Sequence, residues 1–598
     1  MITVASTSSL VAFAIAYYSC LLMASASIFF SPDDCEMYLA PSHLKHAASH
    51  GFGLGIFTGK HIHRGEILTD LHEIVLPLYD SSTLDRTHPP LREYLWNTVG
   101  SLPELAVHIT DRQKAFWFGG GISSMAPCTS RGFNVEIAAG GSFAGDPRWN
   151  VLEDLDGVPS RQDPRAGSYS YRHGMTYIVV RDIAPGEEIV VDCSDDNFDH
   201  LSLLNERRSN KYQPNDLSYM CLDNVRSGDS QVPNAGKGLL AARRLAKDDI
   251  VLSSPVVPIN RGDLFGDGTG KMPASGINNY QLMLNYALGH EDSDLLLLPY
   301  GPFVNYINHP PPGAKANAVI RWHSVGEKEM DAPPRMQFHH IDLFQEYAKA
   351  VTETHGKGLV IDIVALGKID VGDEIYIDYG DAWRKAWDDH VKRWNAPLGA
   401  SSYHTADQYY HNKTLNPKPE IVKTVDELKN DPYPDNLQTI CYYDSDANME
   451  RVDEENKINY AVWKDDGMPH ECMRPCNILE RYPDTVNEGQ MLYTAEMMHF
   501  EGEEKFWFCA MKPGRHIAKD VGYDGILIVD KPYSHDIFLE QAFRHEIAVP
   551  DNFFPKEWMR SKVRRKTEEE LTRSPIGDEF RRKKIGEVVS RKTPKEEL

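Results

Sequence analysis

Three short groups of residues between positions 236 and 380 have side chains and backbone freedom suited to a ligand site. In chain order they are Gly236-Lys237-Gly238, Asn308-His309 and Asp378-Tyr379-Gly380. Glycine permits a positive φ or a close approach of the backbone to a ligand, and the amide, imidazole and phenol can all form hydrogen bonds. Each group also has a structural interpretation, namely a turn, a capped turn and a core or edge aromatic. Their ordered combination favours a functional site.

Two of these groups have a counterpart earlier in the chain, which predicts an internal duplication. Residues 53–67 match residues 236–250 without a gap, at an offset of 183 positions. Residues 183–193 match residues 369–379 at an offset of 186 positions. Two ordered matches at almost one offset are hard to obtain by chance.

The repeated stretches are typical of short β-strands, and one helix follows the second of them. Turn residues at Pro185-Gly186 and Val371-Gly372-Asp373 precede runs of Val, Ile and Tyr. A helix is predicted over residues 381–394 because apolar side chains recur there at helical spacing, at Trp383, Trp387, Val391 and Trp394. Such a stripe is more typical of a core than of a cofactor site, so these tryptophans are assigned to the core.

The ordered motifs of residues 215–395 resemble those of SET-domain methyltransferases. The Gly-x-Gly is followed by Asn308-His309, then by Asn317 after a proline-rich loop, and finally by Gly372-Asp373-Glu374 and Asp378-Tyr379-Gly380. Each motif is weak alone, but together and in order they are fairly specific. The resemblance implies a fold in which the Asn-His and Tyr segments thread past each other in a knot-like arrangement. It also implies that S-adenosylmethionine binds on one face and that a target lysine enters a narrow channel from the other.

The resemblance further implies roles for individual residues. Tyr379 matches the catalytic tyrosine of the family, and Gly236, Gly238, Asn308 and His309 match its cofactor-binding positions. Methyl transfer from a sulfonium to an amine is an in-line displacement, so alignment can supply much of the catalysis. A free lysine has a pKa of about 10.4, and a desolvated channel beside a positive sulfonium favours its neutral, nucleophilic form. This chemistry requires no metal, and no metal site is predicted.

The first copy departs from the pattern at its candidate site. Cys193 and Ser194 stand where the second copy has Tyr379 and Gly380, and no histidine occurs between residues 119 and 134. A thiol is a weak hydrogen-bond donor and lacks the long reach of a phenol. The first copy is therefore predicted to be degenerate, with a structural or binding role.

The second copy also differs from the best-known members of the family. Asp248-Asp249 replaces the usual Gly-Glu, and Pro310-Pro311-Pro312-Gly313 follows His309 in place of Ser-Cys. The Cys-x-Cys zinc cluster that often follows the domain is absent after Tyr379. Another element must then close the lysine channel, and the helix at 381–394 is the candidate.

Composition limits the classes of partner. The 598 residues carry a net charge of −24, which repels phosphate, so direct nucleic-acid binding is not expected. A protein or peptide substrate bearing lysine fits this charge better. The hydrophobic share of 41% is that of an ordinary globular protein.

The N-terminal segment suggests a cellular location. Residues 1–30 carry no charged side chain, and Ala24-Ser25-Ala26 is a small-x-small sequence that signal peptidase accepts. A signal peptide or single membrane anchor is predicted, in the secretory pathway or on a membrane, with a buried element of the first domain as the alternative. A plastid or nuclear location also stays open. In the secretory pathway Cys472 and Cys476, four positions apart with no second pair at zinc-ligand spacing, are a candidate disulfide.

These observations predict an α+β, mostly β fold: two tandem SET-like knotted β modules followed by a small β-rich C-terminal domain. The predicted division is 1–30 signal or anchor, 33–200 degenerate module, 215–395 SET module, 396–430 linker, 431–558 β-rich domain and 559–598 charged, disordered tail. Strand-like runs support the β-rich domain, at 437–443, 458–464, 477–481, 492–497, 505–509 and 525–529. Helical stretches at 537–545 and 553–558 are expected to pack on it.

The leading hypothesis is an S-adenosylmethionine-dependent protein-lysine N-methyltransferase whose second copy is catalytic. One alternative is a non-catalytic interaction protein that keeps the SET scaffold, and another is a plastid-type enzyme that methylates non-histone proteins. In the C-terminal domain, an aromatic cage for methylated lysine is a further possibility, although a plain core is favoured. Its candidates are Tyr442, Tyr443, Tyr460 and Trp463.

Overall fold

The computed structural model is mostly β with few helices, which confirms that part of the predicted fold class. It describes residues 35–42, 54–68, 74–78, 95–97, 116–129, 132–137, 160–170, 177–192, 220–261, 282–323, 359–442, 449–453, 455, 458–462, 473–487, 489–498, 514–531, 534–539 and 541–559. The predicted signal or anchor, the residues Cys193 and Ser194, and nearly all of the predicted tail lie outside these ranges. Within them, no helix has the length and apolar character needed to cross a membrane.

The described residues of the predicted first module, 33–200, form short strands. A five-stranded sheet has the order β3-β9-β8-β10-β7, and a three-stranded sheet has the order β4-β6-β5, while β1 pairs with β2. The elements are β1 (Met37–Pro41), β2 (Leu54–Thr58), β3 (Ile67–Leu68), β4 (Ile74–Leu78), β5 (Leu95–Asn97), β6 (Phe116–Gly120), α1 (Ile122–Met125), β7 (Cys128–Thr129), β8 (Val135–Ile137), β9 (Tyr177–Val179) and β10 (Val191–Asp192).

The second module, residues 215–395, has longer strands and ends in a helix. Its elements are β11 (Met220–Cys221), β12 (Val225–Asp229), β13 (Lys237–Ala241), β14 (Ile250–Asn260), β15 (Leu288–Gly289), β16 (Leu295–Pro299), β17 (Ala318–Trp322), β18 (Val360–Ala365) and α2 (Gly380–Arg393). Five of the strands share one sheet, in the order β17-β18-β14-β16-β15, and β12 pairs with β13. Strand β11 instead lies beside β1 of the first module, where a disulfide joins Cys35 to Cys221.

Residues that match between the modules occupy matched pairing positions. In each module the stretch that begins with the Gly-x-Gly forms two isolated antiparallel bridges with the stretch that ends in Gly-(Asp/Glu)-Glu. The bridges are Phe57–Glu188 and Ile62–Ile183 in the first module, and Leu240–Glu374 and Leu245–Ile369 in the second. Every partner in the second module lies 183 or 186 positions beyond its match in the first.

One continuous hydrophobic core connects the two modules. It includes fully buried side chains from both, among them Ile56 and Val191 of the first module and Leu297 and Ile375 of the second. Burial of apolar surface is the main favourable term in folding, so a shared core resists separation of the modules. The two predicted modules therefore share one core.

The C-terminal strands form a seven-stranded sheet of order β20-β21-β24-β23-β22-β19-β25. Five of the six strand-like runs seen in the sequence correspond to these strands, and the run at 505–509 lies outside the described residues. The elements are α3 (Ala406–His411), α4 (Val425–Leu428), β19 (Leu437–Tyr442), β20 (Met449–Asp453), β21 (Ile458–Val462), β22 (Met473–Pro483), β23 (Met491–Met497), β24 (Arg515–Gly522) and β25 (Ile526–Asp530).

Three expectations for this region are corrected. The 396–430 stretch is not a free linker, because Tyr409 and Tyr410 of α3 pack with Leu437 and Ile528 of the sheet. Cys476 is bonded to Cys441, so its predicted pairing with Cys472 is wrong. Of the possible cage, Tyr443 and Trp463 lie outside the described residues. Its two described members, Tyr442 on β19 and Tyr460 on β21, have three strands between them in the sheet order.

The last part of the described chain returns from the C-terminal sheet to the second module. Strand β26 (Ile547–Ala548) extends the sheet of that module by pairing in parallel with β15. Trp558 is buried in the shared core, and Phe553 stacks on Trp322 at a ring-centroid distance of 4.8 Å. The expected packing of 537–545 and 553–558 on the C-terminal sheet is therefore wrong, because their apolar side chains are buried in the core of the modules.

The burial of Trp558 in this returning segment, residues 541–559, predicts a stability effect far from residue 395. Trp558→Ala should lower the free energy of unfolding by about 3–5 kcal/mol, because it leaves a large cavity in the shared core. Chemical denaturation followed by intrinsic fluorescence and circular dichroism measures the loss. Val486→Ala, at an 84% exposed position, is the control and should change stability by less than about 0.5 kcal/mol. Equal stability of the two variants would contradict the placement of Trp558.

Candidate functional site

A buried carboxylate, that of Glu374, lies at the centre of the second module. Its side chain is 1% exposed, and it accepts hydrogen bonds from the Ser230 hydroxyl (2.8 Å), the Gln231 backbone N–H and the Tyr376 hydroxyl (2.9 Å). Burial together with this bond to a carboxylate raises the pKa of Tyr376. Burying a charge is costly unless it is hydrogen-bonded, so these donors are needed where they stand.

The second glycine of the Gly-x-Gly is required by this carboxylate. A methyl group at Gly238 would lie 2.7 Å from Glu374 Cδ and still closer to its Oε1. A larger residue there would force the Glu374 carboxylate to shift, because real Cβ contacts are essentially never shorter than 3.0 Å. Glycine at position 238 therefore lets strand β13 approach the 374–377 segment with that carboxylate in place. This contact explains the residue without a ligand, and a cofactor-binding role for Gly238 stays a prediction.

Asn308 ties the glycine strand to the same carboxylate. Its side-chain nitrogen donates to Glu374 Oε1 (2.9 Å) and to the carbonyl of Lys237 (3.1 Å), and it lies 3.1 Å from Ser230 Oγ. Its backbone carbonyl accepts from Ile377 N–H (3.1 Å). Asn308 thus orders the loop that the Gly-x-Gly forms, and its predicted direct contact with a cofactor remains a prediction.

The first module repeats this framework. A methyl group at Gly55 would lie 2.9 Å from Glu188 Cδ, just as a methyl group at Gly238 would lie 2.7 Å from Glu374 Cδ. Asn134 donates to the Glu188 carbonyl (2.7 Å) and accepts from Val190 N–H (2.8 Å). Asn317 makes the matching bonds in the second module, to the Glu374 carbonyl and from Tyr376 N–H, both at 2.8 Å. Asn134 and Asn317 are 183 positions apart, the same offset that separates the two Gly-x-Gly motifs.

The modules differ where the asparagine–histidine pair stands. In the first module Val191 N–H donates to the carbonyl of Pro127, and in the second Ile377 N–H donates to that of Asn308. Pro127 therefore takes the place of Asn308, with Cys128 after it in place of His309. Proline has no side-chain donor with which to hold the glycine loop.

Tyr379 lies at the end of the 374–377 segment and is the N-cap residue of α2. Its hydroxyl donates to the Ile307 carbonyl at 2.6 Å, which brings it next to the asparagine–histidine pair. Burial raises the pKa of Tyr379 well above its ordinary value, with Tyr286 and Glu374 adding to the effect. The phenol therefore stays protonated at neutral pH, and its oxygen keeps lone pairs for a second partner.

His309 supports the tyrosine from the other side. Its Nδ1 accepts a hydrogen bond from the Tyr379 backbone N–H at 3.2 Å, and the two rings are 5.5 Å apart. Burial lowers the pKa of His309, although the Asp378 carboxylate opposes the shift. A neutral imidazole is the form that can accept this bond, so burial and geometry agree.

A cavity of about 1160 Å³ lies beside these groups. Lys237 of the Gly-x-Gly, Asn308, His309 and Tyr379 line it together. Gly236, with φ at +68°, adjoins it through the ring of Tyr169, which also lines the cavity. Three of the five predicted site residues, Asn308, His309 and Tyr379, thus line the cavity. Gly236 adjoins it through Tyr169, and Gly238 lies behind them against Glu374.

The tryptophans of α2 line this cavity, so their assignment to the core is wrong. No residue of α2 is buried, and Trp383 and Trp387 are half-buried at the cavity wall. Trp383 meets Tyr379 edge to face at a centroid distance of 4.9 Å. Helical spacing identified the stripe correctly, but the face it covers is that of a cavity. That this helix closes a lysine channel stays a prediction.

Two further parts of the wall had no signal in the sequence. Phe543 of the returning segment meets Trp383 and Trp387 edge to face at 5.6 and 5.0 Å. Residues 160–170 of the first module supply several more lining side chains. In addition, Ala548 N–H donates to the Tyr379 carbonyl at 2.9 Å. A methyl group at Gly380, where φ is +85°, would lie 2.8 Å from the Ala548 Cβ, which explains glycine after the tyrosine.

The cavity is large enough for a nucleoside cofactor together with an extended side chain, because sites for single small ligands measure roughly 300–1,000 Å³. Its wall combines polar backbone near Gly236 and Lys237 with the rings of Tyr286, Trp383 and Tyr169. Aromatic faces attract cations such as a sulfonium or an ammonium. The residues present therefore fit S-adenosylmethionine by size and by chemistry.

Comparisons with known proteins add little to this geometry. No family model matches the chain, and no curated protein matches it. Among solved structures, a candidate histone methyltransferase of Plasmodium falciparum is 20% identical over 27% of this chain and 97% of its own, with a TM-score of 0.16.

Two polycomb repressive complex 2 structures are similar over a smaller share of their own length. The Chaetomium thermophilum complex is 19% identical over 26% of this chain and 15% of its own, with a TM-score of 0.16. A ctPRC2 structure in an autoinhibited conformation bound to S-adenosylmethionine is 17% identical over 27% of this chain and 15% of its own, with a TM-score of 0.17. TM-scores at this level establish neither the fold nor the activity of the present chain.

The contact between Gly238 and Glu374 can be tested by a pair of alanine variants. Gly238→Ala should lower the free energy of unfolding by about 1–3 kcal/mol, because its methyl group displaces the buried carboxylate. Gly367→Ala is the control, since Gly367 also lacks a positive φ and has no atom within 4 Å of its would-be Cβ. Denaturant titration of both variants gives the comparison. A Gly238→Ala protein as stable as Gly367→Ala would rule out the close approach.

Proposed function

We propose that this chain is an S-adenosylmethionine-dependent protein-lysine N-methyltransferase whose second module is catalytic. The observation that carries the proposal is the convergence of Tyr379, His309, Asn308 and Lys237 on one cavity. The order of their motifs resembles SET-domain enzymes, and the residues would meet in such an enzyme. We further propose that the modules arose by duplication, which the matched bridges and the matched asparagines support.

In this proposal the cofactor is held near the Gly-x-Gly. Gly236 and Lys237 would offer backbone groups to it, and His309 and Asn308 would border it. Bound there, S-adenosylmethionine would supply an electrophilic methyl group. The positive φ of Gly236 shapes the loop, and Asn308 holds that loop through the Lys237 carbonyl.

Tyr379 would orient the amine of the substrate. Its O–H is directed to the Ile307 carbonyl, so the phenol oxygen is left to accept a hydrogen bond from a lysine nitrogen. The rings of Trp383, Tyr286 and Phe543 exclude water from the cavity wall beside it. Desolvation disfavours an ammonium, so this wall would favour the neutral amine that attacks the methyl group.

Replacement of the phenol tests the proposal. The full chain is incubated with S-adenosylmethionine carrying a radioactive methyl group and with lysine-bearing peptides and cell-extract proteins. Tyr379→Phe should lower methyl transfer by about two orders of magnitude, because one oriented hydrogen-bonding group is lost from the transition state. Its fold, measured by circular dichroism, should be retained.

Tyr460→Phe, on the half-buried face of a strand in the C-terminal sheet, is the control and should transfer methyl groups at the unaltered rate. Binding of S-adenosylmethionine without any transfer, or no binding at all, would favour the alternative of a non-catalytic interaction protein. Transfer by Tyr379→Phe at the control rate would reject the role of Tyr379.

We also propose that the protein works in the secretory pathway. Residues 1–30 read as a signal or anchor, and the bonded pairs Cys35–Cys221 and Cys441–Cys476 are typical of an oxidising compartment. The substrate would then be a protein of that compartment, because histones are not found there.

N-terminal sequencing of the protein from its own cells, with mass mapping of its cysteines, tests this location. A mature chain beginning near Ser27 with both cysteine pairs oxidised is the expected result. An intact Met1 with reduced cysteines would contradict it and would return a nuclear substrate to consideration.

A further inference from the structure

A segment of the first module crosses onto the cavity of the second. We name residues 160–170 the strap. Six of its residues line the cavity that Tyr379 and His309 also line: Asp163, Pro164, Arg165, Ser168, Tyr169 and Ser170. The strap belongs to the first module, which lacks the tyrosine and the asparagine–histidine pair. Its residues nevertheless line the candidate site of the second module.

The strap is fixed in place by contacts along its whole length. Arg161, only 14% exposed, forms an ion pair at 2.6 Å with Asp536, which is 1% exposed, and it also donates to the Ser534 carbonyl. Breaking a buried pair by removing one partner is costly, so this end is firmly held. At the other end, Ser170 N–H donates to the Tyr286 hydroxyl at 3.0 Å. Burial raises the pKa of Tyr286 to about 12, so that hydroxyl stays neutral.

Elements on both sides of the cavity hold the middle of the strap. The Gly167 carbonyl accepts from Arg544 (2.6 Å), the Ser168 carbonyl accepts from the Asn285 amide, and the Pro164 carbonyl lies 2.7 Å from His390 Nε2 of α2. Gly167 itself has φ at +72°, and a methyl group there would lie 2.7 Å from the Asp536 carbonyl carbon. Backbone cannot move aside easily, so the strap depends on glycine at this position.

Tyr169 carries the strap to the glycine loop. A methyl group at Gly236 would lie 3.1 Å from Tyr169 Cε2, and the Tyr169 hydroxyl donates to the Asn234 carbonyl at 3.3 Å. Arg165, paired with Asp163 at 2.8 Å, donates to the Pro233 carbonyl in the same loop. The ring of Tyr169 therefore lies against the backbone at the cavity end where Gly236 and Lys237 stand.

We propose that the strap is the missing wall of the second module's S-adenosylmethionine site, and that Tyr169 positions the glycine loop and packs against the bound cofactor. This inference rests on the proposed function, because it assumes that S-adenosylmethionine is the ligand. It gives the first module a defined task. The two modules then work as one unit, in which the first completes a site that the second cannot close alone.

The test is the affinity of the purified full chain for S-adenosylmethionine, measured by isothermal titration calorimetry. Tyr169→Ala should weaken binding about tenfold, because it removes an aromatic wall. Tyr169→Phe keeps the aromatic ring and should restore affinity to within about twofold of the unaltered chain, since it removes the hydroxyl that donates to Asn234 and leaves the ring in place.

Gly167→Ala tests the strap without altering a side chain in the cavity. It should also weaken binding about tenfold, because the added methyl group collides with the Asp536 carbonyl and displaces the strap from the cavity wall. Gly65→Ala is the matched control: Gly65 also has a positive φ, at +87°, but nothing lies within 4 Å of its would-be Cβ. This control should bind as the unaltered chain does, and circular dichroism of all four variants separates loss of binding from loss of fold.

The outcomes separate the two proposals. If the unaltered chain does not bind S-adenosylmethionine, both the proposed function and the role of the strap are overturned. If it binds and folded Tyr169→Ala binds equally well, the role of the strap alone is overturned. Tighter binding by Tyr169→Ala would also overturn it, because the ring would then compete with the cofactor.

Discussion

The structure around the candidate site depends on one buried charge, the carboxylate of Glu374. It is nearly inaccessible to water, so it requires donors on every side. Those donors come from the 230–231 turn, from Asn308 and from Tyr376, which brings three distant stretches of chain to one point. Glycine at 238 allows this close approach without displacing the carboxylate. The ordered motifs are thus first a set of contacts that hold the fold, and the cavity lies over them.

The residues that close the cavity differ from those that hydrogen-bond to Glu374. The latter all belong to the second module, whereas the cavity wall is formed by α2, by Phe543 of the returning segment and by the strap. The returning segment also fixes the backbone of Tyr379 through Ala548. The wall around Tyr379 is thus assembled from segments that are distant in the sequence. The shared core holds these parts in fixed relative positions, because apolar side chains of both modules and of the 537–558 stretch are buried in it.

The parts of this arrangement that could be predicted are those with a local signature. Turns, short strands, the helix of α2 and the order of Gly236, Asn308 and Tyr379 all follow from residue type and spacing. Contacts between distant segments leave no such trace, so neither Phe543 nor Tyr169 could be predicted as part of the cavity wall. The apolar stripe on α2 shows most clearly what spacing leaves undecided. Spacing identifies an apolar face, but the same pattern is found whether that face packs in a core or lines an aromatic cavity. Asn134 and Asn317 are an intermediate case, since their offset was visible and only their hydrogen bonds show what it means.

The contrast between the modules separates what builds the scaffold from what the chemistry needs. Both keep the glycine, the buried glutamate and the asparagine that bonds to the strand beside it. They differ at the position of Asn308, where the first module has Pro127, and at the position of Tyr379, where it has Cys193. If the glycine and the glutamate served mainly the ligand, a module without the tyrosine would have no use for them. The glycine is explained in both modules by its contact with the buried glutamate. Residues 308, 309 and 379, where the modules differ, therefore stay the predicted site residues.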